Sequence, residues 1–172
     1  MIFRRGHVPA KKKTAATTHK KVVIVMLDGT RAQGYLNGSA LGQQESVEVL
    51  SSDGEYRTLE LVKIKSIHFV REFREDFEPE RKAFLSRPKL DGLWVRLRFR
   101  DGDVLEGIVA NDLLDMLVNG VRLTPPDLHG NSLWIFIPRT ALAEMKVLGV
   151  VGVARRQPAA AAIDAQPKLF SE

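Results

Sequence analysis

The sequence VVIVMLDGTRAQG at residues 22–34 recurs with changed side chains as VRLRFRDGDVLEG at residues 95–107, 73 positions later. Both segments begin with an apolar, β-rich stretch, continue into an Asp-Gly pair and place a glycine five residues after the glycine of that pair. Apolar residues at alternate positions are typical of a β-strand, and Asp-Gly is typical of a hairpin turn. The duplication therefore predicts two copies of one small β-module.

The rest of the chain predicts an all-β protein with five strands in each copy. Gly, Asp, Asn and Ser cluster between the apolar segments, as is typical of turns. The predicted strands cover residues 21–27, 33–36, 47–50, 56–61 and 66–70 in the first copy, and residues 94–99, 104–109, 114–123, 133–137 and 144–148 in the second.

Composition divides the chain into five parts. The first part is basic and lacks an apolar face, so we expect it to be disordered, and the Ala- and Pro-rich end reads as a flexible tail. A charged linker separates the modules, and Pro79 begins a predicted short helix there, over residues 79–85. The predicted parts are a basic arm (1–20), a first small barrel (21–73), the linker (74–90), a second small barrel (91–149) and the tail (150–172).

The chain has 172 residues and no cysteine, which excludes disulfides and thiolate metal sites. Its longest apolar runs, residues 22–27 and 134–137, are too short to span a bilayer. We therefore expect a soluble cytoplasmic protein. Modules of this size bury little core, so we also expect them to pack on each other or to self-associate.

The formal net charge of +5 comes from the arm. Residues 1–21 contain seven bases and no acid, whereas the rest of the chain contains 19 bases and all 21 acids. A basic arm can bind nucleic acid through its phosphates, and a solvated leader without a ligand is the alternative. The candidate nucleic-acid-binding residues of the arm are Arg4, Arg5, Lys11, Lys12, Lys13, Lys20 and Lys21.

A second basic feature is an arginine stripe, formed by Arg96, Arg98 and Arg100. The three arginines alternate with apolar residues, so they share one face of their strand. A three-residue loop would place Leu105 opposite Leu97 and would put Glu106 on the arginine face. The stripe then has two interpretations: a solvated outer face with cross-strand ion pairs, or a surface for phosphate or an acidic partner.

The sequence predicts no catalytic site, cofactor or metal centre. His7 and His19 lie in or beside the arm, His129 lies in a loop, and the alternation of the fifth strand points His68 outward. None of them has metal-ligand spacing from another, and no serine belongs to a nucleophile motif. We therefore expect that the protein is not an enzyme.

Each half resembles an Sm-like (SH3-type) small β-barrel, on the strength of its five strands, its Asp-Gly turn and the turn that sets off its last strand. The linked pair, over residues 21–149 and with IKSIHFVREF at 64–73, also resembles a bacterial family of duplicated barrels without an assigned activity. Sm-like proteins form rings and bind RNA, so the resemblance implies both. In the Sm contact motif Met116 stands at the expected place, whereas Asp112 lies one position early and Leu117 replaces the asparagine.

The segment NGSALG at residues 37–42 is similar to the Asn/Asp-x-Ser-x-x-Gly element of PilZ domains, which bind cyclic dinucleotides. Arg4 and Arg5 lie upstream of the first strand, as the arginines of that family do. This resemblance implies an alternative nucleotide site at Asn37, Ser39 and Gly42.

Together these observations favour a non-enzymatic binding module. Nucleic acid, RNA above all, is the leading predicted ligand because of the arm and the arginine stripe. Two alternatives stay open: an adaptor that binds protein by pairing at a strand edge, and a cyclic dinucleotide sensor.

Overall fold

The computed structural model describes residues 19–78, 81–112 and 119–152. These residues are all-β, and their helical content is three single turns of 3-10 helix at Gly38–Ala40, Leu61–Lys63 and Arg139–Ala141. The strands are β1 (His19–Met26), β2 (Arg31–Asn37), β3 (Ser46–Leu50), β4 (Tyr56–Glu60), β5 (Ile64–Val70), β6 (Gly92–Phe99), β7 (Val104–Val109), β8 (Gly120–Leu123), β9 (Ser132–Pro138) and β10 (Leu142–Val151).

The strands form two antiparallel sheets. The larger has the order β4-β3-β2-β1-β5-β9-β8 and the smaller has the order β10-β6-β7. An isolated bridge joins them, because Ile108 of β7 and Thr124, just after β8, exchange two backbone hydrogen bonds of 3.0 and 2.8 Å. The ten strands therefore make one continuous run, whose two ends are β4 and β10.

The same strand order occurs twice along this run. When the strands of each copy are numbered from one to five, the order is four, three, two, one, five in both copies. The two copies meet where β5, the fifth strand of the first, pairs with β9, the fourth strand of the second. The junction is thus head-to-tail.

Residue pairing confirms that the copies are equivalent. Ile24 lies opposite Ile67 in the first copy, and Leu97 lies opposite Met145 in the second. Residues in the first strands therefore correspond at a spacing of 73 positions, and residues in the fifth strands at a spacing of 78. Both pairs of strands also have an irregularity at the start of the fifth strand.

The glycine shared by the two repeats has a packing role. A Cβ atom at Gly34 would lie 2.6 Å from Cγ1 of Val49, and one at Gly107 would overlap the side chain of Leu123. Each glycine therefore lets the second strand of its copy bend closely over the third.

Each copy has its own hydrophobic core. The first core contains residues of β1 to β5, and the second contains residues of β6 to β10. β9 contributes to both cores: Phe136 packs into the first core and Trp134 packs against it, while Ile135 and Ile137 pack into the second. The side-chain alternation of β9 thus ties the two cores together.

Two features differ from the sequence-based expectation. Over the part of the chain that the structure describes, neither sheet closes into a barrel, because β8 and β9 continue the sheet of the first copy instead of staying with β10, β6 and β7. The short linker helix is also absent from residues 81–85, which are irregular. The backbone there bonds to β7 instead of forming helical hydrogen bonds: Lys82 O accepts from Glu106 N at 2.7 Å, and Phe84 N donates to the Glu106 carboxylate. Pro79 lies outside the described residues, as do residues 114–118 of the expected eighth strand.

Across the described ranges, no helix has the length and apolarity needed to cross a lipid bilayer.

Candidate interaction edges and charged surfaces

The junction between the copies is a filled strand edge. On β5, Ile67 lies opposite Phe136 and Phe69 lies opposite Trp134 of β9. The rings of Phe69 and Trp134 stack with their centroids 3.7 Å apart, and Arg122 lies over the Trp134 ring at 4.2 Å. With β1 on its other side, β5 is paired along both edges.

His68 lies inside this junction, although the sequence pattern placed it outward. Its ring nitrogens are 3.0 Å from the Ser66 hydroxyl and 3.2 Å from the Ser132 hydroxyl, and Phe77 of the linker packs edge-on against it. The linker covers the outer face of β5, which alternation alone could not reveal. Burial, and to a smaller extent the charge of Arg31, lowers the pKa of His68 from 6.5 to about 4.

By contrast, β10 is an open edge. It pairs with β6 on one side and has no neighbouring strand on the other among the described residues. Its apolar side chains are exposed: Met145 by 37%, Val147 by 55%, Leu148 by 38% and Val150 by 60%. Met145 and Val147 are the equivalents of Ile67 and Phe69, which are buried on β5.

The opposite end of the run, β4, is open as well. Within the described residues it pairs only with β3, and Tyr56, at its first position, is 62% exposed. The repeat makes β4 the equivalent of β9, because Val47 lies opposite Leu59 just as Val121 lies opposite Ile137. Tyr56 then corresponds to Trp134.

The arginine stripe is largely occupied by ion pairs. As expected for a three-residue loop, Leu105 lies opposite Leu97 and Glu106 lies opposite Arg96. Arg96 donates to Glu106 through Nε and Nη2 at 3.1 and 2.8 Å, and Arg98 donates to Glu144 at 3.3 Å. These pairs support the structural interpretation of Arg96 and Arg98.

Glu106 itself departs from the expected solvated face, since it is 4% exposed. The linker crosses over it, so the carboxylate also accepts from Phe84 N and from Trp94 Nε1, both at 3.2 Å. Burial acts to raise the pKa of Glu106, but the hydrogen bonds from Arg96, Phe84 and Trp94 outweigh it, and the pKa lies below its ordinary value.

Arg100 is separated from the other two arginines. It lines an open cleft of about 720 Å³ at the boundary between the copies, together with Arg139, Asn119, Glu45 and Glu60. Among the described residues, neither Arg100 nor Arg139 has an ion-pair partner. The cleft thus presents two guanidinium groups beside two carboxylates.

Sequence analysis missed an ionic link between the copies. Nζ of Lys65 on β5 donates to the carboxylates of Asp101 and Asp103 in the second Asp-Gly turn, and Lys82 donates to Asp103 at 2.9 Å. Hydrogen bonds from Lys65 and Lys82 lower the pKa of Asp103 from 3.8 to about 2. The available signal was the carboxylate on both sides of Gly102, where the first turn has Asp28-Gly29-Thr30.

Of the basic arm, the structure describes Lys20 and Lys21, which are exposed at the start of β1. Nζ of Lys21 lies 5.7 Å from the centroid of the Phe73 ring. The other candidate residues of the arm lie outside the described residues: Arg4, Arg5, Lys11, Lys12 and Lys13.

The segment of the alternative nucleotide site forms a local turn. Oδ1 of Asn37 accepts hydrogen bonds from the backbone N–H of Ser39 at 3.1 Å and from its hydroxyl at 2.8 Å. Gly42 has a φ of 80°, which favours glycine. Turn formation therefore accounts for all three residue types at these positions. Across the described ranges, no group of three or more His, Asp or Glu side chains is placed to hold a metal ion.

Comparison with known proteins adds a family but no activity. DNA ligases of Xanthomonas campestris pv. campestris, from strains B100, 8004 and ATCC 33913, are each 32% identical to the chain over 83 residues. The similarity covers 48% of this chain and 10% of each ligase, so the chain matches about a tenth of the length of these relatives. No solved structure is significantly similar to the chain. The model of a family of unknown function, DUF6982, matches residues 18–149, and the protein therefore belongs to that family.

Proposed function

We propose that the protein is a non-enzymatic interaction module that binds a protein partner by adding the partner's strand to an open sheet edge. One observation carries the proposal: β10 is the equivalent of β5, yet within the described ranges no strand takes the outer position that β9 occupies beside β5. The Sm-like relationship of the two repeats is part of the proposal, and the repeated order of five strands supports it.

Addition of a strand to β10 would pair its free backbone groups and bury its exposed apolar side chains. The free N–H and C=O groups of an edge strand are a template for pairing with another chain. Full burial of an exposed valine, leucine or methionine side chain contributes roughly 1.5–3 kcal/mol. Val147 and Val150 are the most exposed apolar residues of β10, so a partner with apolar side chains at alternate positions fits this edge best.

A labelled peptide with the sequence of residues 131–139 tests this proposal, because it contains β9, the strand that occupies the equivalent edge of β5. Fluorescence anisotropy at a low protein concentration should show saturable binding to the full chain. Val147→Asp should weaken the binding at least tenfold, because it places a charge at the centre of the edge.

Leu85→Asp is the matched control, since Leu85 is an exposed apolar residue of the linker and belongs to neither β4 nor β10. A scrambled peptide controls for composition. Absence of saturable binding, or equal weakening by the two substitutions, would contradict the proposal.

Nucleic-acid binding through the basic arm is the second candidate. The seven bases in residues 1–21 and the two arginines of the junction cleft, Arg100 and Arg139, favour it. Three relatives are DNA ligases by name, but the shared segment is too short to transfer an activity.

Salt titration distinguishes this candidate from strand addition. Binding of a labelled single-stranded RNA through the arm should weaken steeply with salt, because each neutralised phosphate releases counterions. Deletion of residues 1–18 should abolish it while leaving binding of the residue 131–139 peptide unchanged. RNA binding that survives the deletion would show that the arm is not the binding element.

A further inference from the structure

We infer that the strand added to β10 is β4 of a second copy of this chain, so that copies associate head-to-tail. This inference rests on the proposed function, because it names the partner of the open edge. Its starting point is that the chain already contains one contact of the same kind, between the fifth strand of one repeat and the fourth strand of the next.

The two open ends are the two halves of that contact. The run of strands begins with a fourth strand, β4, and ends with a fifth strand, β10. Addition of a second copy at β10 would therefore repeat the junction between β5 and β9. A contact between two different surfaces is heterologous, and it either closes into a ring or continues as a filament.

Repeat equivalence specifies the register of the new contact. On the fifth strand the equivalent residue lies 78 positions later, and on the fourth strand it lies 78 positions earlier. The pair of Ile67 and Phe136 therefore corresponds to Met145 opposite Thr58. The stacked pair of Phe69 and Trp134 corresponds to Val147 opposite Tyr56. These last two are 55% and 62% exposed, and each would cover the other.

The charges at the two edges are compatible with this register. Lys146 would lie opposite Arg57, and like charges in direct opposition are unfavourable. Each of them has a neighbouring carboxylate in its own copy, however: Glu144 lies 3.3 Å from Lys146, and Asp53 lies 3.0 Å from Arg57. Because Glu144 also accepts from Arg98, the two carboxylates reduce the repulsion between Lys146 and Arg57 without neutralising the whole group.

Sedimentation velocity of the full chain tests the association. We expect concentration-dependent species larger than the 19.2 kDa monomer. Val147→Asp should shift the association midpoint to at least tenfold higher concentration, whereas Leu85→Asp should leave it unchanged. A chain that is monomeric at all concentrations would overturn the inference.

Disulfide cross-linking tests the register, and the absence of native cysteine makes the introduced thiols the only ones. Directly opposite residues of antiparallel strands have Cα atoms about 4.5–5.5 Å apart, which suits a disulfide. A mixture of the single variants Tyr56→Cys and Val147→Cys should form a disulfide-linked heterodimer under mild oxidation.

The register control replaces Tyr56→Cys by Thr58→Cys, which shifts the thiol by two residues, or roughly 7 Å, on the same face of the strand. Cross-linking of this mixture should be at least tenfold slower. Equal rates, or association that Val147→Asp does not affect, would overturn the inference. If the residue 131–139 peptide bound to a chain that stayed monomeric, the inference would fail and the proposed function would stand.

Discussion

The fifth strands of the two repeats differ in what surrounds them. β5 is paired on both sides and is buried along most of its length, whereas β10, as far as the structure describes the chain, is paired on one side and exposes four apolar residues. Both strands pair with the first strand of their own repeat in the same register. The difference is therefore the missing outer neighbour and not the fold of the strand itself.

The fourth strands show the same contrast. β9 has the sequence SLWIFIP and is buried over its second half, whereas β4 has the sequence YRTLE and is exposed. Charged residues on an open edge hinder indiscriminate pairing. β4 thus has the composition of an edge that pairs selectively, and β9 has that of an interior strand.

The largest expected effect on stability comes from removing a side chain at the contact between β5 and β9. Phe69→Ala removes a buried ring from between the first core and Trp134, and we expect a loss of about 3–5 kcal/mol in the free energy of unfolding. Val147→Ala, at the equivalent position of β10, should change the free energy of unfolding of the monomer by less than about 0.5 kcal/mol.

Urea denaturation at low protein concentration measures both values. If Phe69→Ala does not fold, Phe69→Leu provides a smaller loss for the same comparison. Equal losses at the two positions would contradict the difference between the edges.

Acid should weaken the filled edge specifically. The pKa of His68 is about 4 in the folded protein and 6.5 in the unfolded chain, so the unfolded chain takes up the proton first. Stability should therefore fall as the pH decreases from about 6.5 to about 4, by up to about 3 kcal/mol.

The pH dependence of urea denaturation tests the range from pH 6.5 to 4 that is expected for His68. The carboxylate of Asp103 acts at lower pH: its pKa is about 2, so its contribution to stability is lost between about pH 4 and 2. His68→Asn should flatten the dependence above pH 4, whereas Lys146→Asn, at the equivalent position of β10, should leave it intact. A wild-type stability that is constant from pH 6.5 to 4 would exclude a buried neutral histidine.

A smaller effect concerns the linker that covers the second copy. Glu106→Ala leaves the half-buried donors Phe84 N–H and Trp94 Nε1–H without their acceptor, so we expect a loss of about 2 kcal/mol. Glu144→Ala removes the exposed partner of Arg98 and Lys146 and should cost clearly less, because solvent screens these ion pairs. Thermal or urea denaturation of both variants measures the two losses in the free energy of unfolding. Equal losses would mean that Glu106 is as solvated as Glu144.

The local structure could be predicted from the sequence because it depends on neighbours along the chain. Alternation and the Asp-Gly pair predicted the hairpin of β6 and β7, including the register that places Leu105 opposite Leu97. The partner of β5 could not be predicted, because periodicity assigns a residue to a face of a strand but does not say which strand lies beside it.

The same limit explains the other differences. The outward position of His68 was wrong because Phe77 of the linker covers that face. The linker helix was wrong over residues 81–85 because the backbone of Lys82 and Phe84 bonds to Glu106, which is 22 to 24 residues away in sequence. The function of the basic arm stays a prediction.

The comparison between β5 and β10 is tested most directly by hydrogen–deuterium exchange of their backbone amides at increasing protein concentration. At low concentration, amides of β10 should exchange much faster than those of β5, because one edge of β10 is open. At high concentration, β10 and β4 should become protected together while β5 stays unchanged. Protection of β10 that is independent of concentration, or already equal to that of β5 in the dispersed protein, would contradict the account.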